Sequence, residues 1–166
     1  MDNPQVTATE IAWLAGIWDG EGTISVCYGQ KHIASPRVSV VNTNPSIIRR
    51  VCEILDGLGI GHRLLEKGQG GFPGSHKQCW IITVERLANA ARFLLHLDPY
   101  LIGKIEQARL LRRFLDSRLL RRAGVKRNSD APYTSEELEL LVKVVDLNGN
   151  QRGTSETIRE VAEHRE

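Results

Sequence analysis

The segment Leu14-Ala15-Gly16-Ile17-Trp18-Asp19-Gly20-Glu21-Gly22 reads as the end of a helix that carries acidic side chains into a glycine-rich turn. Leading into it is a ladder of small residues four apart: Ala8, Ala12, Gly16 and Gly20. Residues at that spacing share one helical face, so this face has almost no side chains. A bare face lets another backbone come close, the logic of small-xxx-small helix pairs. Gly16 costs roughly 1 kcal/mol of helix propensity relative to Ala, which a close approach would offset. The carboxylates stand at the negative end of the helix dipole, an unfavourable place for structure and a sensible one beside a cation. The expectation is a close helix pair ending in two metal-binding acids, one per helix.

Outward from this segment, Thr7-Ala8-Thr9-Glu10 is a capping box that starts the first helix at about residue 8. Polar and apolar residues alternate over 23–28 and again over 37–42, which predicts two half-buried strands joined by a polar loop. Asn44-Pro45 predicts the start of a helix running to about Asp56. Gly59 and Gly61 then turn the chain into a third strand over 62–67. A glycine-rich loop follows over 68–74, and a fourth strand over 77–84. Further helices are expected at about 86–96, 103–122, 134–147 and 154–164, with Thr134-Ser135-Glu136-Glu137 as a second capping box. The stretch 124–132 reads as the one linker. Four antiparallel strands with helices on one side make an α+β layer, organised as a single domain with a core over about 7–122 and a helical extension over about 133–165. The sheet's other face, rich in short polar residues, is left for something else to cover.

With 166 residues, 41% apolar and 25% charged, the chain is long enough for one compact domain with a real core. No apolar run approaches the roughly 18 residues of a membrane span, and no signal-like segment follows Met1; the expectation is an intracellular protein of an organelle or a prokaryotic cytoplasm, with no membrane partner. Cys27, Cys52 and Cys79 have no paired spacing, which argues against a zinc or disulfide framework. The net charge of +2 says little, but its distribution says more. Residues 101–127 carry nine Lys/Arg against two acids, and residues 131–166 carry four against eight. A basic middle and an acidic tail fit a polyanion-facing side with a solvated back.

Leu14 to Gly22, followed by Thr23-Ile24-Ser25-Val26, resembles the motif of the LAGLIDADG homing endonucleases, and in particular the single-motif enzymes that act as homodimers. Since no second copy of the motif occurs, its partner would come from another subunit across a two-fold interface. The resemblance implies an αββαββα fold whose four-stranded antiparallel sheet forms a DNA-binding saddle, followed by C-terminal helices. It also implies a dimer interface of Ala8, Ala12, Ala15, Gly16 and Gly20. The metal site would consist of Glu21 and the carbonyl of Gly20, holding Mg²⁺ or alternatively Mn²⁺ or Ca²⁺, with no small-molecule cofactor. Relatives usually have Asp where this chain has Glu21, which keeps a carboxylate on a longer arm. Lys104, in Pro99-Tyr100-Leu101-Ile102-Gly103-Lys104, matches a family lysine near the attacking water and the phosphate. Asn42 matches the polar residue that orients that water, with Asn44 competing for the same role. Asp19 is left outside the metal set as a partner for backbone at the helix end.

DNA reading would fall to the open sheet face and the loops at its ends. The expected contacts are Ser25, Cys27, Arg37 and Ser39, then Gln30, Lys31 and His32 in the first loop, and Arg63, Lys67, His76 and Lys77 in the second hairpin. Arginines suit guanine edges and lysines suit phosphates. Thr154-Ser155-Glu156-Thr157-Ile158-Arg159 also resembles a family segment, which adds Arg152, Thr154 and Ser155 as backbone contacts. The implied function is site-specific cleavage of both strands of a long, roughly palindromic duplex, leaving short 3′ overhangs. The same fold also serves non-catalytic nucleic-acid binders, either intron RNA maturases or transcription regulators; retention of Glu21 favours the nuclease.

Overall fold

The computed structural model describes residues 5–28, 34–68, 77–125, 131–149 and 156–160. The elements run α1 (Ala8–Glu21), β1 (Gly22–Tyr28), β2 (Ala34–Asn42), α2 (Pro45–Gly57), β3 (His62–Lys67), β4 (Cys79–Val84), α3 (Leu87–Leu97), α4 (Ile105–Arg121) and α5 (Ser135–Leu147). Residues 156–160 are also helical. This is the expected α+β order. The strands form one antiparallel sheet in the order β1-β2-β4-β3.

Local chemistry explains the boundaries. Thr7 and Glu10 exchange capping-box bonds at the start of α1, and the Asn44 side chain accepts from the Ser46 N–H at the start of α2. α2 ends in a Schellman motif: Ile60 N–H reaches the Leu55 carbonyl and Gly59 N–H the Asp56 carbonyl, with Gly59 at φ +63. β2 begins three residues before the expected Arg37 and includes Pro36. It pairs with β4 only over Ser39–Asn42, so one flank of residues 34–38 has no ladder to need the missing proline N–H. β4 begins at Cys79 rather than at residue 77, and α4 at Ile105 rather than at residue 103.

Ile24 and Val26 of β1, Val38 and Val40 of β2, and Ile82 and Val84 of β4 face the helices and are at most 3% exposed. They meet Leu14 and Trp18 of α1, Val51 and Leu55 of α2, Phe93 and Leu94 of α3, and Leu111 and Phe114 of α4. Trp18 meets Phe93 edge-on at 4.7 Å. Gly22 is required by space: a Cβ there would stand 2.5 Å from the Trp18 ring. Arg86, just ahead of α3, holds φ 68 and ψ 144, a conformation that suits glycine and costs an arginine on the order of 1–3 kcal/mol.

α5 is fastened to α4 by a buried ionic network. Glu137, 1% exposed, accepts from Ser117 Oγ at 2.8 Å and Arg121 Nη1 at 2.8 Å, and lies 3.5 Å from the equally buried Arg118. Arg118 also donates to the Ala131 carbonyl and stacks over the Tyr133 ring. Tyr133 Oη in turn accepts the N–H that opens β2 at Ala34. Asn148 donates to the Ile24 carbonyl, covering part of the edge strand β1. Removing one member of a buried pair strands the other charge. Glu137→Ala should therefore lower unfolding stability by roughly 3 kcal/mol, read as a fall in urea midpoint at constant slope. A loss under about 1 kcal/mol would show that Arg118 needs no counter-charge.

No helix among the described residues is long and apolar enough to cross a membrane.

Candidate functional site

Glu21 is the last residue of α1, and it is exposed. The helix end around it is held from both sides. The Lys104 ammonium donates to the carbonyl of Trp18 (2.8 Å), which also accepts the Gly22 N–H, and to that of Asp19 (2.5 Å), in the last turn where helix carbonyls run out of helical partners. In the opposite direction the Asp19 carboxylate accepts the backbone N–H groups of Ile102 (2.7 Å) and Lys104 (2.9 Å). Asp19 thus bonds backbone as expected, but that of the α3–α4 connection more than eighty residues away. Burial pushes the Lys104 amine below its ordinary pKa, and the Asp19 charge pulls it partly back.

Glu21 has a different neighbour. Its Oε2 accepts from the Asn42 amide. The Asn42 carbonyl accepts the Asn44 N–H at 2.7 Å, which fixes the amide so that its nitrogen points at the carboxylate. The two asparagines therefore separate by geometry: Asn42 stands beside Glu21, and Asn44 caps α2.

The expected bare face of α1 is open. Ala8, Gly16 and Gly20 are exposed, Ala12 is half-buried, and a Cβ at Gly16 or Gly20 would meet nothing within 4 Å. Ala15 is corrected out of this set, being 0% exposed in the chain's own core. It lies three residues before Trp18 and next to Leu14, on the inward side of the helix. Trp13, 37% exposed, joins the open face in a way that a search for small residues overlooks.

On the sheet face away from the helices, register assigns the strands. Arg63 and Lys67 of β3 share it with Leu65, which decides a parity that the sequence His62-Arg-Leu-Leu-Glu-Lys67 leaves open. One cross-strand row is polar: Thr23, Ser39, Thr83 and Arg63. The next is apolar: Val41, Ile81 and Leu65. Cys27, Arg37 and Arg63 are exposed, and Arg63 pairs with Glu85 at 3.0 Å. Ser25 and Ser39 lie on the expected face but are recessed, at 2% and 5% exposure, and Ser25 Oγ has no hydrogen-bond partner among the described residues. Lys77 is exposed, just ahead of β4. Gln30, Lys31, His32, His76, Arg152, Thr154 and Ser155 lie outside the described residues.

Three solved structures are among those with a similar fold. The first is an archaeal intron-encoded homing endonuclease, I-Vdi141I, complexed with DNA: 17% identity, 94% of this chain and 96% of that chain covered, TM-score 0.66. The second is the homing endonuclease I-CvuI with its target in the presence of calcium: 22% identity, 92% of each chain, TM-score 0.60. The third is I-CvuI on an I-CreI target with magnesium and uncleaved DNA: 21% identity, 92% of this chain and 91% of that chain, TM-score 0.56. No curated protein sequence gives a significant match. A family model for the LAGLIDADG-like domain matches residues 8–98, more than half of the chain and all of the layer from α1 through α3, and on that match the chain belongs to the LAGLIDADG family.

Proposed function

We propose that this chain is a homing endonuclease, acting as one domain per subunit of a homodimer and cutting both strands of a long, pseudo-palindromic DNA duplex to leave short 3′ overhangs. The observation that carries this reading is Glu21, an exposed carboxylate at the end of a helix whose outer face is bare. Packing two such faces together puts two Glu21 side chains on one axis. α1 is apolar on nearly every side, as a helix covered all round should be.

The donor set fits a hard divalent ion. Glu21 has a second carboxylate oxygen beyond the one Asn42 engages, and the carbonyl of Gly20, an exposed residue without a side chain, would be the other ligand from the same helix end. Among the described residues of one chain no three His, Cys, Asp or Glu cluster, so the remaining ligands would be the second Glu21, DNA phosphates and water, as magnesium commonly accepts. Such an ion, when bound, neutralises charge developing on the scissile phosphate and eases deprotonation of an attacking water. The protein's residues supply the aim. Asn42 keeps the Glu21 carboxylate oriented and has a second amide N–H to offer that water. Lys104 spends two N–H groups on the end of α1 and has a third for phosphate charge.

The open face would enter the major groove. Arg37 and Arg63 suit guanine edges, whereas the row Val41, Ile81 and Leu65 suits thymine methyls. Deoxyuridine in place of the thymines that contact this row should weaken binding about fourfold per methyl, from ~0.8 kcal/mol per buried carbon. Unchanged binding would remove the row from base reading. The test of the whole proposal is selection of cleaved sequences from a randomised duplex library, with and without magnesium. A two-fold-related target cut only with the metal is expected; duplexes bound but never cut would assign the chain to a non-catalytic binder.

A further inference from the structure

Where β2 outruns β4, the sheet opens. Residues 34–38 have no β4 partner, and after Val84 the chain leaves through Glu85 and Arg86 into α3. Between the overhanging strand and the departing chain lies a cavity of about 600 Å³ walled by Arg63, Arg86, Arg118, Arg122, Ser35 and Tyr133. Its charges are unequal in kind. Arg63 is matched by Glu85, and Arg118 by the buried Glu137. The side chains of Arg86 and Arg122 make no ion pair or hydrogen bond with any described residue, so the concavity keeps uncompensated positive charge, which low-dielectric walls focus. Arg86 also keeps a glycine-type backbone, and strain of that sort collects at ligand clamps.

We propose that this cavity grips backbone phosphates of the bound duplex, with Arg86 and Arg122 as the donors; this rests on the nuclease reading above. Ser35, Thr83 and Arg63 carry the cavity's rim onto the DNA-facing side of the sheet. Ser35 stands seven residues along β2 from Asn42, about 23 Å at 3.3 Å per residue. Each strand of a duplex carries one phosphate per about 3.4 Å of helix axis, so with β2 laid along that axis the grip falls roughly seven nucleotides outward from the cutting end. It holds the flank of each half-site and reads no base.

The test is the salt dependence of binding to a random-sequence duplex of about 30 base pairs, since each neutralised phosphate contributes about 0.9 to the slope of log affinity against log salt. The full-length double variant Arg86→Gly/Arg122→Gln should show a slope shallower by about 2. Its melting temperature should be equal to or higher than that of the parent, because glycine relieves the strained backbone. Arg113→Gln, which alters an exposed α4 arginine outside the cavity, should leave the slope unchanged. An unaltered slope in the double variant, or an equal loss in Arg113→Gln, overturns the grip alone. Parent protein that binds no duplex overturns the nuclease reading first. If inorganic phosphate raises the parent's melting temperature while the DNA slopes stay equal, the cavity belongs to a free anion and the DNA assignment is wrong.

Discussion

Glu21→Gln is expected to slow DNA cleavage by about a thousandfold or more while specific binding persists. The substitution is nearly isosteric, and the glutamine carbonyl accepts from Asn42 as the carboxylate does, so α1 and its surroundings stay in place. What disappears is the negative charge that would hold a divalent ion over the phosphate. Such an ion stabilises developing charge by several kcal/mol, and about 4 kcal/mol corresponds to a thousandfold in rate. Initial cleavage rates on a selected target, set beside gel-shift affinity in calcium, separate chemistry from binding. Cleavage within tenfold of the parent would remove Glu21 from the reaction.

Gly16→Leu should break the proposed dimer into monomers without harming the protomer. Inside one chain nothing lies within 4 Å of a Cβ at this position, and leucine improves helix propensity by nearly 1 kcal/mol. Any loss must therefore come from a second molecule. Sedimentation should show a monomer at concentrations where the parent is dimeric, with unchanged far-ultraviolet circular dichroism and no cleavage. A dimeric, active Gly16→Leu protein would show that the two copies meet elsewhere. Gly22→Ala is the instructive contrast, since its Cβ would strike the Trp18 ring of the same chain and disturb folding instead.

Much of this architecture is legible in the residues because local rules agree. Thr7, Asn44 and Thr134 mark helix starts by their own cap bonds, and alternation in β1 and β2 names the inward face correctly, with Ile24, Val26, Val38 and Val40 buried. β3 is different: neither of its faces is closed, Leu64 and Leu65 are both more than 40% exposed, and alternation carries no signal. Only its register with β4 assigns the faces. The α1 ladder is legible from spacing, whereas Ala15 is not, because a small residue beside the ladder looks like part of it until the inward packing of Trp18 and Leu14 is known. Within the candidate site, the exchange between Asp19 and the 102–104 connection is non-local, so no motif around either segment announces it. Arg86 and Arg122 pass in the sequence for ordinary surface charge; what singles them out is the split between β2 and β4.

The two-way fastening between Asp19 and Lys104 has a consequence for redesign. The end of α1 and the α3–α4 connection are laced into one piece, so Lys104 must travel with the helix tip whenever α1 tilts. In the proposed dimer, recasting Ala8, Ala12 and Trp13 so that two unlike chains recognise one another, or so that a tether makes two copies one polypeptide, would therefore change who meets whom. The lysine keeps its station beside the helix tip throughout.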